Sequence, residues 1–95
     1  MVKILNVLDD LQKEKKLGEG QFESGFWYAP DRGCDIIRIF RKEGLSVLCG
    51  RIVGARYVET GRVKRKVFTF IDDDAEHGKT RPEKFRPNGC VARNE

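Results

Sequence analysis

The segment RYVETGRVKRKVFTFIDDD, residues 56–74, places five basic side chains around one predicted turn. Lysine and arginine at this density are suited to neutralising phosphate groups, and bound phosphates would relieve the repulsion between the cations. Residues 51–66 contain six bases and one acid, a net charge of +5, whereas the whole chain carries +4. The candidate phosphate-binding residues are Arg56, Arg62, Lys64, Arg65 and Lys66.

These cations have a second interpretation that involves no ligand. Charged residues, lysine above all, protect exposed strands from edge-to-edge aggregation. The basic residues at positions 81–93 favour a nucleic-acid partner, whereas the acidic residues at positions 72–76 oppose one or pair with that basic region. Both interpretations stay open on the sequence alone.

Trp27 and Tyr28 form an adjacent aromatic pair. Successive residues of a strand point to opposite faces, so one of the two rings is a candidate base-stacking platform or protein contact on an exposed face. The alternative is that both rings pack in the core against neighbouring elements.

The sequence contains no pattern that predicts catalysis or metal binding. His77 is the single histidine, and neither a nucleophile motif nor a glycine-rich phosphate loop accompanies it. Cys34, Cys49 and Cys90 are an odd number at wide spacings, which is typical of reduced thiols and lacks the short chelating pair of a zinc site. The aspartates at 72–74 lack a paired carboxylate at the fixed spacing of a calcium loop. We therefore predict no catalytic residue, no metal and no cofactor.

The elements that must position these residues begin with a predicted N-terminal helix. Ile4, Leu8 and Leu11 recur at helical spacing, and Asp9 and Lys13 form an i,i+4 pair. The glycine at position 18 is suited to the end of such a helix.

Four segments rich in β-branched and aromatic residues follow: FESGFWYA, CDIIRIFRK, LSVLCGRIVGARYV and RVKRKVFTFI. Short connections predict an antiparallel meander with the helix on one face, and hence an α+β domain over residues 1–72. The alternative is a strongly curled, SH3-like or OB-like barrel, because Gly50 and Gly54 lie inside one long strand and favour bulges or bends. Residues 73–95 are predicted to be an irregular, partly mobile tail.

The cations lie around a predicted hairpin. Glu59, Thr60 and Gly61 suit a three-residue turn with glycine last, because a two-residue turn of Thr60 and Gly61 would force a β-branched residue to positive φ. The resulting register pairs Arg56 with Lys64 and places both on one solvent-exposed face near the tip.

The sequence therefore predicts a small non-enzymatic accessory protein that binds nucleic acid through residues 51–66 and the basic tail. The alternative is a protein-interaction module or inhibitor, of the kind that phages and mobile elements encode, acting through a strand edge or an aromatic surface. No apolar run approaches the roughly 20 residues of a membrane span, and the N-terminus lacks a secretory pattern, so we expect a cytoplasmic protein. One helix covers only one face of the predicted sheet, and we therefore also expect a homodimer.

Overall fold

The structure, a computed structural model, describes residues 2–9, 13–27, 33–42, 46–61, 63–79 and 90–95, with the backbone alone at 26, 27, 60, 63 and 64. These residues form one sheet in the order β2-β3-β6-β5-β4-β1-β7, in which neighbouring strands are antiparallel except for the parallel pair β1 and β4. The elements are β1 (Lys3–Leu8), β2 (Lys15–Gly18), β3 (Gln21–Trp27), β4 (Ile36–Phe40), β5 (Leu48–Thr60), β6 (Val63–Asp72), a 3-10 helix (Asp74–Glu76) and β7 (Cys90–Asn94).

The predicted N-terminal helix is wrong, because residues 3–8 form β1 in the interior of the sheet. Ile4 and Leu5 point to opposite faces of this strand, yet both are buried. A parallel strand that is covered on both faces contains a near-continuous apolar run, and periodicity alone does not distinguish such a short run from a buried helix. The predicted α+β class is therefore corrected to an almost all-β, seven-stranded mixed sheet.

The four predicted strands correspond to β3, β4, β5 and β6, but they do not form the predicted meander. β3 pairs with β6, and β4 lies on the other side of β5, between β5 and β1. The parallel pairing of β1 with β4 requires a crossover, which the chain between them provides through the β2–β3 hairpin. In the described part of the chain, no α-helix has the length and apolarity needed to cross a bilayer.

β1 and β4 end at the same edge of the sheet, since Leu8 pairs with Phe40. The residues that follow these two strands are Asp9 and Arg41. Asp9 extends the pairing by donating its N–H to the carbonyl oxygen of Phe40 at 2.8 Å, and Arg41 Nη1 donates to the carbonyl oxygen of Asp9 at 2.6 Å. Two charged residues are thereby fixed side by side.

The main hydrophobic core lies on one face of the sheet. Paired residues share a face, so the pairs Leu5–Ile37 and Ile52–Phe70 identify this face on four strands. The rings of Phe22 and Phe70 stack there with centroids 5.9 Å apart. The core comprises Leu5, Val7, Ile37, Ile39, Phe68, Phe70 and Cys90, with Phe22, Cys34, Leu48, Ile52 and Ala92 packed against it.

The other face of β4 contains an ion-pair cluster around Arg38. This buried guanidinium donates to Glu76 at 2.7 Å and to Glu95 at 2.8 Å. A buried charge is costly unless it is paired and hydrogen-bonded. The two carboxylates meet this requirement, and the cluster connects β4 to the 3-10 helix and to the residue that follows β7.

β5 contains a bulge, as its glycines predicted. Its pairing with β6 shifts by one residue between Ile52 and Gly54. Gly50 serves a different purpose, because a Cβ atom at this position would overlap with the carbonyl oxygen of Ile71. Glycine therefore allows the backbones of β5 and β6 to approach closely.

A second bulge lies in β3, where the pairing with β6 shifts between Glu23 and Phe26. The buried Ser24 hydroxyl accepts the N–H of Phe68 at 2.9 Å and donates to the carbonyl oxygen of Gly25 at 2.8 Å. Buried backbone N–H groups need a partner. The hydroxyl supplies one where the bulge interrupts the regular ladder.

The predicted register of β5 against β6 is wrong by three residues, because Arg56 pairs with Val67 and not with Lys64. The predicted three-residue turn is also wrong, since pairing continues through Thr60 and leaves a connection of two residues. Gly61 is the first of these two and has a φ of 69°. A two-residue turn had been rejected because it would give Thr60 a positive φ. In the observed turn, a glycine has the positive φ instead.

The region after residue 72, where an irregular tail was predicted, contains the 3-10 helix and β7 in its described part. Asp73 caps this helix by accepting the N–H of Ala75 at 3.0 Å. Beyond the end of β7, Val2 and Glu95 exchange two backbone hydrogen bonds of 2.7 Å.

Candidate functional site

The β5–β6 hairpin extends beyond the strands on either side of it. β4 pairs with β5 only as far as Arg51, and β3 pairs with β6 only as far as Lys66. Among the described strands, the hairpin beyond these positions therefore pairs only with itself. We call residues 56–66 the arm, and its last residue, Lys66, is also the last residue of β6 that pairs with β3.

One face of the arm carries an aromatic ring beside a cation. Tyr57 is 61% exposed, and Lys66 Nζ lies 5.5 Å from the centre of its ring, within the range of cation–π attraction. Lys66 also pairs with Trp27, so the backbone register places Trp27, Lys66 and Tyr57 in one row across β3, β6 and β5. This face is continuous with the core, since Phe68 lies two residues from Lys66 in β6.

The opposite face of the arm carries an exposed ion pair. Arg56 donates two hydrogen bonds to Glu23, of 2.8 and 3.4 Å. These bonds hold the pKa of the Glu23 carboxyl below its ordinary value. A carboxylate already engages the guanidinium of Arg56, so an anionic ligand would have to compete with it.

The predicted phosphate-binding cations divide between the two faces of the arm. The register differs from the predicted one by an odd number of residues, so positions of β5 and β6 that were predicted to share a face lie on opposite faces. Lys64 and Lys66 occupy the face of Tyr57, whereas Arg56 and Arg65 occupy the other. Two further predicted site residues, Arg62 and Tyr28, lie outside the described residues.

The arm also contains one acid. Glu59 pairs with Lys64. This pair lies two residues closer to the turn than the pair Tyr57–Lys66, and therefore on the same face. Opposite charges at directly paired positions are favourable in a sheet. Among the described side chains, Lys66 is the cation that accompanies the exposed ring of Tyr57.

Three side chains able to hold a metal ion lie together at the end of β6. Carboxylate oxygens of Asp72 and Asp74 and a ring nitrogen of His77 are within 4.8 Å of one another. His77 Nε2 is 2.6 Å from Asp72 Oδ1, which also accepts the N–H of Cys49 at 3.3 Å. These contacts stabilise the turn from β6 into the 3-10 helix. The sequence alone did not indicate this group, because only this turn brings the DxDxxH residues together.

A cluster of charged residues that the sequence did not predict lies where β1 and β4 end. It consists of Asp9, Glu14 and Arg41. Glu14 reaches this edge, and its Oε1 atom is 2.9 Å from Arg41 Nη2. In the predicted helix, Asp9 and Lys13 shared one face, whereas in the structure Asp9 directly follows β1. The signal that could have found the group is the pair of charged residues that directly follows two buried apolar segments.

The three cysteines are free thiols, in agreement with the prediction. Cys49 and Cys90 are buried. Burial raises the pKa of the Cys34 and Cys49 thiols, which favours the unreactive protonated form.

Comparisons of this chain with protein-family models, with curated proteins and with solved structures give no match.

Proposed function

We propose that this protein is a small, non-enzymatic, cytoplasmic accessory protein that binds single-stranded nucleic acid through the arm and the basic region at 81–93. The observation that carries the proposal is the exposed ring of Tyr57 beside Lys66, on a hairpin that extends beyond the described strands on either side of it. Every base has a face that can stack on an aromatic side chain, and neighbouring cations attract the phosphate backbone. The bases of a duplex are already stacked on one another, so this arrangement favours a single strand.

The charge of the arm supports the same ligand. Residues 56–66 contain five bases and one acid, a net charge of +4. On the Tyr57 face, Lys64 and Lys66 supply the positive charge, and each phosphate neutralised in a single strand adds about 0.7 to the salt dependence of binding on a log–log scale. Arg56 contributes less, because Glu23 competes for its guanidinium.

Fluorescence anisotropy with a labelled single strand and a labelled duplex of the same sequence tests the proposal. We expect the single strand to bind more tightly than the duplex and to be released as salt rises. The double variant Lys64→Glu, Lys66→Glu should abolish binding. The matched control is Lys15→Glu, Lys16→Glu, which makes the same charge change at exposed positions of β2 and should bind more tightly than the arm variant. Absence of salt-sensitive binding to either probe at about 100 mM salt would remove the proposal.

A protein partner is the second candidate, and the edge of the sheet favours it. All four residues of β2 are exposed, and among the described strands β2 pairs with β3 alone. Leu17 in this strand is 46% exposed. An exposed strand edge is a surface to which an extended peptide adds as a further strand. This candidate takes first place if neither oligonucleotide binds.

A further inference from the structure

The edge where β1 and β4 end buries two carboxyl groups beside one guanidinium. Asp9 is 2% exposed, and the side chain of Glu14 is 6% exposed. Asp9 Oδ2 accepts the N–H of Lys13 at 3.1 Å, and the next residue, Glu14, lies beside Arg41 at the strand ends. The neighbouring Asp9 carboxyl raises the pKa of Glu14, as expected for two carboxyl groups that lie close together.

Within the described part of the chain, the hydrogen-bond donors around this pair do not suffice for two carboxylates. Arg41 forms an ion pair with Glu14 Oε1. Among the described residues, however, Asp9 Oδ1 and both carboxylate oxygens of Glu14 are buried and accept no hydrogen bond, because the 2.9 Å contact of Arg41 with Glu14 Oε1 has the distance of an ion pair without the direction of a hydrogen bond. Two ionised carboxylates beside the guanidinium of Arg41 would also carry one negative charge more than this ion pair balances. A buried charge of this kind is costly.

We propose that Asp9 and Glu14 share one proton in the folded protein, and that this proton makes the cluster a pH-sensitive latch between the ends of β1 and β4 and the segment that leads into β2. The shared proton gives the two facing carboxyl groups the donor that the structure otherwise lacks. It also leaves a single negative charge opposite Arg41, so the buried cluster becomes neutral. The inference does not depend on the nucleic-acid proposal.

The electrostatic surroundings of Glu14 agree with this assignment. Burial raises the pKa of Glu14, the neighbouring Asp9 raises this pKa further, and Arg41 acts in the opposite direction. Lys13 precedes Glu14, and the stem of its side chain lies against Gly25 of β3. A carboxyl group whose pKa is raised on folding stabilises the protein fully below its unfolded pKa of about 4.3. That stabilisation is lost as pH rises through the folded value.

Urea denaturation of the full chain between pH 5 and pH 9 tests the latch. For the parent protein, the proton-linked part of the folding equilibrium constant should fall by up to tenfold per pH unit above the unfolded pKa of Glu14, while the folded state still holds the shared proton, and should level off at the pH where the folded state releases it. Glu14→Gln replaces this proton with an amide N–H. The folding equilibrium constant of the variant should therefore not fall with pH in this way, and the variant should become more stable relative to the parent as pH rises. Parallel pH profiles of the two proteins would overturn the proposal.

Glu23→Gln is the matched control, because it makes the same change at a carboxyl group whose pKa is lowered on folding. Its effect must have the opposite sign: the stability that Glu23 contributes is present above its unfolded pKa and is lost as pH falls.

Carbon-13 NMR of the carboxyl groups in the parent protein keeps the proposal testable if Glu14→Gln does not fold. The Glu14 carboxyl carbon should titrate at a higher pH than that of Glu23. Hydrogen exchange of the Lys13 amide, which donates to Asp9, should accelerate over the same pH range beyond its intrinsic pH dependence. Titration of Glu14 at or below the pH of Glu23 would refute the shared proton.

Discussion

Replacing Tyr57 by alanine separates base stacking from charge in the arm. Loss of one aromatic stacking partner costs about 1–3 kcal/mol of binding free energy, which corresponds to about a 5- to 150-fold weaker Kd. The ring is 61% exposed, and within the protein it forms a cation–π contact with Lys66. Such a contact contributes about 0.5–1 kcal/mol at an exposed site. The variant should therefore bind much more weakly while its free energy of unfolding changes by less than about 1 kcal/mol.

Anisotropy titrations of a labelled single strand at several salt concentrations distinguish the two effects. Tyr57→Ala should lower the affinity without changing the log–log slope against salt, because no phosphate contact is removed. Tyr57→Phe should retain the parent affinity, since it keeps the ring. Lys66→Gln should reduce the slope by about 0.7, the contribution of one phosphate in a single strand.

Equal affinities of the parent protein and Tyr57→Ala would refute the stacking argument. If Lys66→Gln still weakened binding in that case, the arm would act through charge alone. A reduced salt slope in Tyr57→Ala would equally contradict the reasoning, because it would mean that the ring positions a phosphate contact. Melting curves of each variant establish that the folded protein is being compared.

Three further outcomes follow from the fold. Ser24→Ala should lower the free energy of unfolding by about 1–3 kcal/mol in urea denaturation, because the buried N–H of Phe68 loses its acceptor. Gly50→Ala should cost about 1–3 kcal/mol or more through its overlap with β6, whereas Gly18→Ala, which meets no atom within 4 Å, should stay within about 0.5 kcal/mol in the same assay. Light scattering at high micromolar concentration should detect a dimer if the exposed β2 edge pairs with a second copy, and a species of monomer mass would contradict that expectation.

Local chemistry in the sequence determined the strands of the arm and the bulge at their base. The segments LSVLCGRIVGARYV and RVKRKVFTFI contain the β-branched and aromatic residues of β5 and β6, and the structure confirms both strands. Glycine inside a strand is a local signal for a bulge, and the shift between Ile52 and Gly54 confirms it. The concentration of cations near the turn is likewise a property of the sequence.

The sequence did not determine the register of β5 against β6 or the faces on which their side chains lie, because both depend on which backbone groups pair. Either Glu59 or Gly61 could begin the turn on local grounds, and the choice moves the pairing of Arg56 from Lys64 to Val67. This odd shift exchanges the faces of one strand relative to the other. Only the tertiary structure therefore decided that Lys66 accompanies Tyr57 and that Arg56 meets Glu23.

The identity of β1 was also decided by tertiary structure. Its apolar run fits a helix or a buried strand equally well, and the parallel partner that settles the matter lies about thirty residues further along the chain. The same long-range pairing brings Asp9 beside Arg41 and encloses Glu14 with them. No local pattern encodes that meeting, because it arises from the free energy of burying β1 and β4 together and not from the spacing of the charged residues.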